Sequence, residues 1–125
     1  MGLETGLTGS ASLEVADTDT AIAMRSGDVP TLGTPRLIAL CEEATLRALN
    51  GQVQSGCSSV GVRVQIEHIS PTAVGRTVVA EATLEKIEGR RLVFSVSAKD
   101  DHGLVAAGKV TRVMVEVERF MEKAR

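Results

Sequence analysis

The chain has 125 residues, a formal net charge of −2 and 43% hydrophobic residues, values typical of one soluble globular domain. Its longest basic run is the pair Arg90-Arg91, which argues against the basic stripe of a nucleic-acid-binding protein. No stretch approaches the roughly 20 apolar residues that a membrane helix needs, and the N-terminus lacks the regions of a signal peptide. We therefore expect a cytoplasmic protein with no nucleic-acid partner and no membrane partner.

The chain has only two cysteines and two histidines, which limits the disulfides and metal sites that it can form. Cys41 and Cys57 cannot make a disulfide framework, and the scattered His and Cys positions lack the spacing of metal ligands. The sequence therefore predicts no metal and no cofactor. With two Phe, no Tyr and no Trp, the core must be aliphatic, and branched aliphatic residues favour strands.

The predicted domain organisation is a loose N-terminus over residues 1–10 and a single domain over residues 11–125. Residues 10–16 alternate weakly between apolar and polar side chains, which predicts a first strand. Residues 26–30 contain Gly, Asp and Pro and are typical of a loop.

One amphipathic helix is predicted over residues 37–50. Thr34 is a suitable N-cap, Pro35 suits the first helical position, and Gly51 can end the helix in the left-handed conformation. At about 100° per residue, one stripe of this helix is apolar and consists of Leu37, Leu40, Cys41, Ala44 and Ala48.

From residue 58 onward the apolar period changes from about 3.6 to about 2 residues, which predicts strands. Four strands are expected, followed by a charged tail over residues 118–125; the strands cover residues 58–67, 78–84, 92–98 and 104–117. Consecutive strands joined by short turns favour an antiparallel meander. The predicted fold class is therefore α+β, with one central helix packed on a five-stranded antiparallel sheet.

Two polar residues interrupt these patterns. Glu42 lies about 140° from Leu37 on the helical wheel, where either a rim carboxylate with its head in water or a partnered functional carboxylate fits. His68 shares the strand parity of the apolar row Val60, Val62, Val64 and Ile66. A hydrogen-bonded core histidine and an acid–base group both fit that position, whereas His102 falls in a turn and is expected to be exposed.

Thr34 also has two explanations. A helix N-cap needs a hydroxyl or a carboxamide, which accounts for a threonine without any catalytic role. A helix N-terminus also offers free backbone N–H groups and a partial positive charge, which stabilise the oxyanion that develops on a carbonyl under nucleophilic attack. Both explanations stay open at this point.

The segment 34–44, TPRLIALCEEA, resembles the helix start of the fluoroacetyl-CoA thioesterase-like family of hotdog-fold proteins. In that family a Thr at the helix start is followed by a Glu eight residues on and a His 26 residues later, and Thr34, Glu42 and His68 have this spacing. Residues 59–61, 88–92 and 108–112 match as well. The resemblance covers about residues 25–123 and implies a hotdog fold, in which the sheet wraps the central helix.

The resemblance implies a role for five residues. Thr34, Glu42 and His68 would form the catalytic group, Gly61 would let an acyl group approach the strand backbone, and Arg112 would support substrate binding electrostatically. The implied reaction is hydrolysis of an acyl-CoA thioester to the free acid and CoA. His68 can move protons near neutral pH, and Thr34, Glu42 and an activated water all remain candidates for the nucleophile.

The substrate class follows from a departure from the family. The member that acts on fluoroacetyl-CoA has a phenylalanine lid before the catalytic Thr, whereas residues 25–34 here contain no aromatic residue. We therefore expect a short- or medium-chain acyl-CoA as the substrate, without selectivity for a fluorinated one. A non-catalytic acyl-CoA or small-ligand binding module and an enoyl-CoA hydratase or dehydratase are the alternatives on the same fold.

The resemblance also implies a homodimer with its sites at or near the interface. The expected mode joins the two sheets edge to edge, which would protect an exposed strand edge.

Overall fold

A computed structural model describes residues 3–125. In chain order the elements are β1 (Thr8–Glu14), α1 (Thr34–Ala48), β2 (Cys57–His68), β3 (Thr77–Glu88), β4 (Arg91–Asp100), β5 (Gly103–Glu116) and α2 (Val117–Ala124). The strands form one antiparallel sheet in the order β1-β3-β4-β5-β2. The predicted α+β class, with one helix on a five-stranded antiparallel sheet, is confirmed.

Helix α1 packs its apolar stripe against one face of the sheet. All five predicted stripe residues are buried, together with Thr45. They belong to the same core as Phe94 of β4, whose side chain is fully buried. Burying a leucine side chain is worth about 1.5–3 kcal/mol, so Leu37 and Leu40 alone make a large contribution to holding α1 on the sheet.

The prediction that Thr34 caps α1 is wrong. Gly33 is the N-cap, and its carbonyl accepts the N–H of Leu37 at 3.0 Å. Gly33 is held in place because its own N–H donates to the carbonyl of Asp19 at 2.8 Å. Thr34 is thus the first helical residue, and its hydroxyl is free for another partner. The helix also ends at Ala48, two residues before the predicted end.

Strand β1 begins two residues earlier than the sequence predicts. It starts at Thr8, so residues 8–10 belong to the sheet and not to a loose terminus. Residues 1 and 2 of the predicted terminus lie outside the described residues. Gly9 allows β1 to approach α1 closely, because a Cβ at this position would collide with the helix backbone.

The prediction of a simple meander is wrong for β2. Strands β3, β4 and β5 follow one another in the sheet, but β2 pairs with β5 and lies at the sheet edge. Residues 69–76, which connect β2 to β3, are too many for a hairpin loop of about two to five residues. They are held elsewhere: Ile69 donates to the carbonyl of Val105 at 2.8 Å, and the carbonyl of Thr72 accepts the N–H of Leu32 at 2.9 Å.

A β-bulge at Val62 changes which residues of β2 share a face. The pairing shifts between Gly61, which lies opposite Arg112, and Arg63, which lies opposite Thr111, so Val62 is the extra residue. The predicted apolar row is therefore wrong at its start, because Val60 and Val64 lie on opposite faces. Since alternation is broken once, Gly61 and His68 lie on the same face, the one that α1 covers.

The predicted charged tail is helix α2. It follows β5 directly, and the N–H of Val117 donates to the carbonyl of Gly56 at 3.0 Å. None of its side chains is buried, and Val117, Phe120 and Met121 are each exposed by about 40%. No helix within residues 3–125 is long and apolar enough to cross a membrane.

Candidate active site

The hydroxyl of Thr34 and Nδ1 of His68 lie 2.8 Å apart. Helix α1 places Thr34 in its first turn, and β2 ends at His68. Because Gly33 provides the cap, the threonine hydroxyl makes its hydrogen bond with the imidazole rather than with the helix backbone. The structure thus brings together two residues that the sequence singled out.

The electrostatics of His68 favour a neutral ring. Burial lowers the pKa of His68 below its ordinary value of 6.5, because the imidazolium form loses hydration. An interaction with the Ser70 backbone opposes this shift in part, although Nε2 is buried and has no partner in hydrogen-bonding geometry within residues 3–125. At neutral pH one ring nitrogen is therefore able to accept a proton.

A second polar group consists of Glu42 and Arg112. Oε2 of Glu42 lies 3.8 Å from Nη1 of Arg112, and their side chains are 34% and 7% exposed. Arg112 donates from Nε to Oγ of Ser59 at 2.8 Å and from Nη2 to the carbonyl of Ser59 at 2.9 Å. Burial lowers the pKa of Arg112 and the charge of Glu42 opposes that shift, but a guanidinium stays charged in proteins.

Gly61 makes room for the carboxylate of Glu42. A Cβ built on Gly61 would collide with Oε2 of Glu42 and would lie 3.7 Å from Nη1 of Arg112. In the structure, the space that this glycine leaves is therefore filled by the carboxylate. The role of Gly61 toward an acyl group stays a prediction.

The two polar groups are separate within one chain. Thr34 and Glu42 are eight residues apart on α1, about 12 Å along the helix axis, and Gly61 and His68 are about 20 Å apart along β2. No hydrogen bond or ion pair within residues 3–125 joins Glu42 to Thr34 or His68. One chain therefore does not bring the three predicted catalytic residues together.

A cavity of about 330 Å³ opens beside the pair formed by Thr34 and His68. Its other walls come from Ala21, from five residues of the segment 26–32 and from residues 69–71. Val29 and Ile69, each 56% exposed, give it an apolar side. The volume is in the range of small-molecule sites, so the cavity is large enough for a small acyl group.

Ser59 is a site residue that sequence reasoning missed. It is 7% exposed and anchors the guanidinium of Arg112 through both its hydroxyl and its carbonyl. Its signal in the sequence is a small polar residue two positions before Gly61, on the same face. That signal is not specific, because serine is common at strand ends.

The other candidate residues do not provide a further nucleophile, acid–base group or metal ligand at this site. Burial and the charge of Glu42 raise the pKa of the Cys41 thiol to about 11, so this thiol is not a nucleophile at neutral pH. His102 is exposed in a turn, as predicted. Among the described residues, no group of three His, Cys, Asp or Glu side chains is placed to hold a metal ion.

Solved structures identify the class of fold. The fluoroacetyl-CoA thioesterase FlK superposes with a TM-score of 0.93 at 27% identity, covering 100% of this chain and 97% of that chain. A FlK variant in complex with acetyl-CoA gives a TM-score of 0.91 at 26% identity, covering 98% and 97%. A hot-dog-like protein from Thermanaerovibrio acidaminovorans gives 0.89 at 27% identity, covering 98% and 90%. The predicted hotdog fold is confirmed.

The family follows from sequence comparison. The model of the family described as "Fluoroacetyl-CoA-specific thioesterase" matches residues 15–118. The fluoroacetyl-CoA thioesterase of Streptantibioticus cattleyicolor is 34% identical over 89 residues, which is 71% of this chain and 64% of that protein. The match thus spans slightly less than two thirds of this relative. The chain belongs to the fluoroacetyl-CoA-specific thioesterase family.

Proposed function

We propose that this protein hydrolyses an acyl-CoA thioester to the free acid and CoA. The observation that carries the proposal is the 2.8 Å contact between the Thr34 hydroxyl and Nδ1 of a neutral, half-buried His68. Membership of a thioesterase family and the adjacent cavity support the same reaction class.

The pair is arranged for general base catalysis. With the ring proton on Nε2, Nδ1 accepts the proton of the Thr34 hydroxyl or of a water that this hydroxyl holds. The oxygen so activated attacks the thioester carbonyl, the C–S bond breaks, and the proton passes to the leaving thiolate of CoA. A water nucleophile gives the free acid directly, whereas attack by Thr34 gives an ester that a water, deprotonated by His68, then hydrolyses to the free acid and the restored hydroxyl. The free N–H groups in the first turn of α1 stabilise the oxyanion of the intermediate.

Glu42 completes the catalytic group in this proposal, and Arg112 positions it. The carboxylate of Glu42 balances the positive charge that His68 gains during the reaction, or acts as the second base. Arg112 keeps this carboxylate in place through their ion pair, since its two hydrogen bonds to Ser59 fix the guanidinium. Arg112 is a positioning residue rather than one that touches the reacting atoms.

The proposal includes a homodimer that joins two β2 strands edge to edge. Strand β2 has 12 residues, and its outer edge is unpaired among the described residues. Such an edge offers free N–H and C=O groups to a second strand. Val62 and Val64, in the middle of β2, are 50% and 37% exposed, so a second copy would also bury apolar surface.

This dimer would build a complete site from two chains. A two-fold axis across the middle of β2 runs the two strands in opposite directions, so the His68 end of one strand lies beside the Gly61 end of the other. Thr34 and His68 of one chain would then face the partner's Glu42 and the partner's Arg112. The separation of the polar residues into two groups within one chain supports this arrangement.

The proposed substrate is a short- or medium-chain acyl-CoA. The cavity beside Thr34 and His68 is small, with an apolar side formed by Val29 and Ile69. Its lining within residues 3–125 contains no Phe, so selectivity for a fluorinated acyl group is not part of the proposal. Two free cysteines are typical of a reducing compartment, which supports a cytoplasmic location.

A thiol-release assay over acyl-CoAs of increasing chain length tests the proposed function. We expect release from the wild type, a loss of at least ~100-fold in His68→Ala, and wild-type rates in the matched control His102→Ala. Acyl-CoA that binds but is not cleaved would indicate a binding module. Consumption of an enoyl-CoA with its thioester intact would indicate a hydratase.

A further inference from the structure

Thr72, in the connection between β2 and β3, is a polar residue buried to 1% exposure. A buried hydroxyl needs a hydrogen-bond partner because it has lost its hydration, and this one donates to Oδ2 of Asp100, the last residue of β4, at 2.9 Å. Oδ1 of Asp100 accepts the N–H of His102 at 2.8 Å, so the carboxylate is fixed on the turn between β4 and β5. A hydrogen bond to a charged carboxylate is stronger than one between neutral groups.

The main chain around Thr72 joins two walls of the cavity of about 330 Å³ beside the catalytic pair. The carbonyl of Thr72 accepts the N–H of Leu32 at 2.9 Å, and the next residue, Ala73, forms an antiparallel bridge with Thr31. Thr31 and Leu32 belong to one wall of this cavity, and residues 69–71, directly before Thr72, form another. Thr72 therefore connects the two walls to each other.

The bond to Asp100 ties these walls to the main sheet. The connection from β2 to β3 is also tied near its two ends, where the N–H groups of Ser70 and Gly75 donate to β5 and to the residue after β1. Between them, the bond from Thr72 to Asp100 is the one hydrogen bond within residues 3–125 that reaches the main sheet. Without it, the middle of the connection can move away from the sheet. Leu32 would move with it, because its N–H is bonded to the carbonyl of Thr72.

We infer that the hydrogen bond between Thr72 and Asp100 sets the length of acyl chain that the enzyme accepts, an inference that rests on the proposed function. The bond holds the two walls at a fixed distance from the sheet, and a cavity with fixed walls discriminates between chains that differ by single methylene groups. Neither residue lines the cavity. Both are positioning residues that act through Leu32 and residues 69–71.

The chain-length profile of Thr72→Val tests this role, because valine has the shape of threonine without the hydroxyl. We expect the kcat/KM ratio of a longer acyl-CoA to one shorter by two methylenes to rise at least ~10-fold, with kcat for the best substrate close to that of the wild type. Thr72→Ser keeps the hydroxyl and should keep the wild-type profile. The matched control Thr77→Val makes the same change at an exposed position of β3 outside the cavity. An unchanged profile in Thr72→Val, or an equal change in Thr72→Ser, would overturn the inference.

Asp100→Ala breaks the same bond from its other, partly exposed partner. It should change the chain-length profile in the same direction as Thr72→Val, and the double variant should change it no further, because two residues that act through one bond are not additive. Additive changes would mean that the two residues act separately and would contradict the inference.

Hydrogen exchange of the Leu32 amide tests the tie without turnover. Since this N–H is bonded to the carbonyl of Thr72, we expect it to exchange at least ~10-fold faster in Thr72→Val than in the wild type and in Thr77→Val. The amides of β4 should exchange at wild-type rates, which shows that global stability is unchanged. Unchanged exchange at Leu32 would overturn the inference. If the wild type cleaves no acyl-CoA, the proposed function fails and the chain-length role with it, whereas the exchange rate still decides whether the bond holds the cavity walls.

Discussion

The hydroxyl of Thr34 contacts Nδ1 of His68 at 2.8 Å, although 34 residues separate them in the sequence. Two backbone features support this contact. Gly33 caps α1 and so frees the threonine hydroxyl, and the bulge at Val62 gives Gly61 and His68 the same α1-covered face of β2. The contact is what a hydroxyl–imidazole pair needs for proton transfer.

The first prediction concerns the pH dependence of thiol release. Because burial lowers the pKa of His68 below 6.5, the neutral ring persists through pH 7, and kcat/KM should decline only as the pH falls below 6.5. The free energy of unfolding depends on pH in the same direction, because it too decreases as the pH falls. The unfolded state takes up the proton first, so the contribution of His68 is present above pH 6.5 and is lost as the pH falls through the lowered pKa.

A pH profile of kcat/KM, with urea unfolding of the wild type and His68→Ala at several pH values, checks this prediction. An acidic limb with its midpoint above 6.5 that disappears in His68→Ala would contradict the assigned direction.

The second prediction concerns Gly61→Ala. The added methyl group collides with Oε2 of Glu42, and the carboxylate, at the far end of a flexible side chain, must move. We expect the free energy of unfolding to change by no more than about 1 kcal/mol, and kcat to fall by about 10–100-fold because a catalytic group is displaced. Thermal unfolding and thiol release measure the two effects, and an unchanged kcat would show that the position of this carboxylate does not matter.

The third prediction concerns the anchor of Arg112. Arg112→Lys loses the planar fork that binds both the hydroxyl and the carbonyl of Ser59, which should lower the free energy of unfolding by about 2–3 kcal/mol. Ser59→Ala removes only the hydroxyl acceptor and should cost about 1 kcal/mol. Urea denaturation compares them; equal stabilities of the two variants would mean that the carbonyl contact contributes nothing.

The fourth prediction concerns the proposed dimer interface, the edge of β2. Val62→Glu/Val64→Glu places like charges on both copies of the proposed edge, so we expect a monomer mass by light scattering at low micromolar concentration and loss of thiol release. Val79→Glu is the control, since Val79 is 41% exposed but lies on β3, which is paired on both sides. A monomeric wild type at that concentration would contradict the edge-to-edge dimer.

Much of the fold was predictable because its causes are local in the sequence. The stripe from Leu37 to Ala48 has a helical period, and all its members are buried. Glu42 and His68 stand out because each carries a polar group where the surrounding pattern is apolar. Helix α2 could also have been predicted, because Val117, Phe120 and Met121 have the i, i+3, i+4 spacing of an amphipathic helix. The many charged residues around them make this apolar pattern weak.

The rest depended on contacts between distant segments. The bulge at Val62 exists only in the pairing of β2 with β5, and alternation within β2 contains no sign of it. Gly33 becomes the cap because its N–H is held by Asp19, 14 residues earlier. The position of β2 at the sheet edge depends on where residues 69–76 are held.

A heterodimer of His68→Ala and Glu42→Gln chains tests whether each site is built from two chains. The two chains are coexpressed with different affinity tags and purified through both tags. In the proposed dimer one of the two sites joins the intact His68 of one chain to the intact Glu42 of the other. We expect about half of the wild-type thiol release per dimer, while each mutant homodimer loses at least ~100-fold. A heterodimer as inactive as its two parents would mean that each site takes all its residues from one chain.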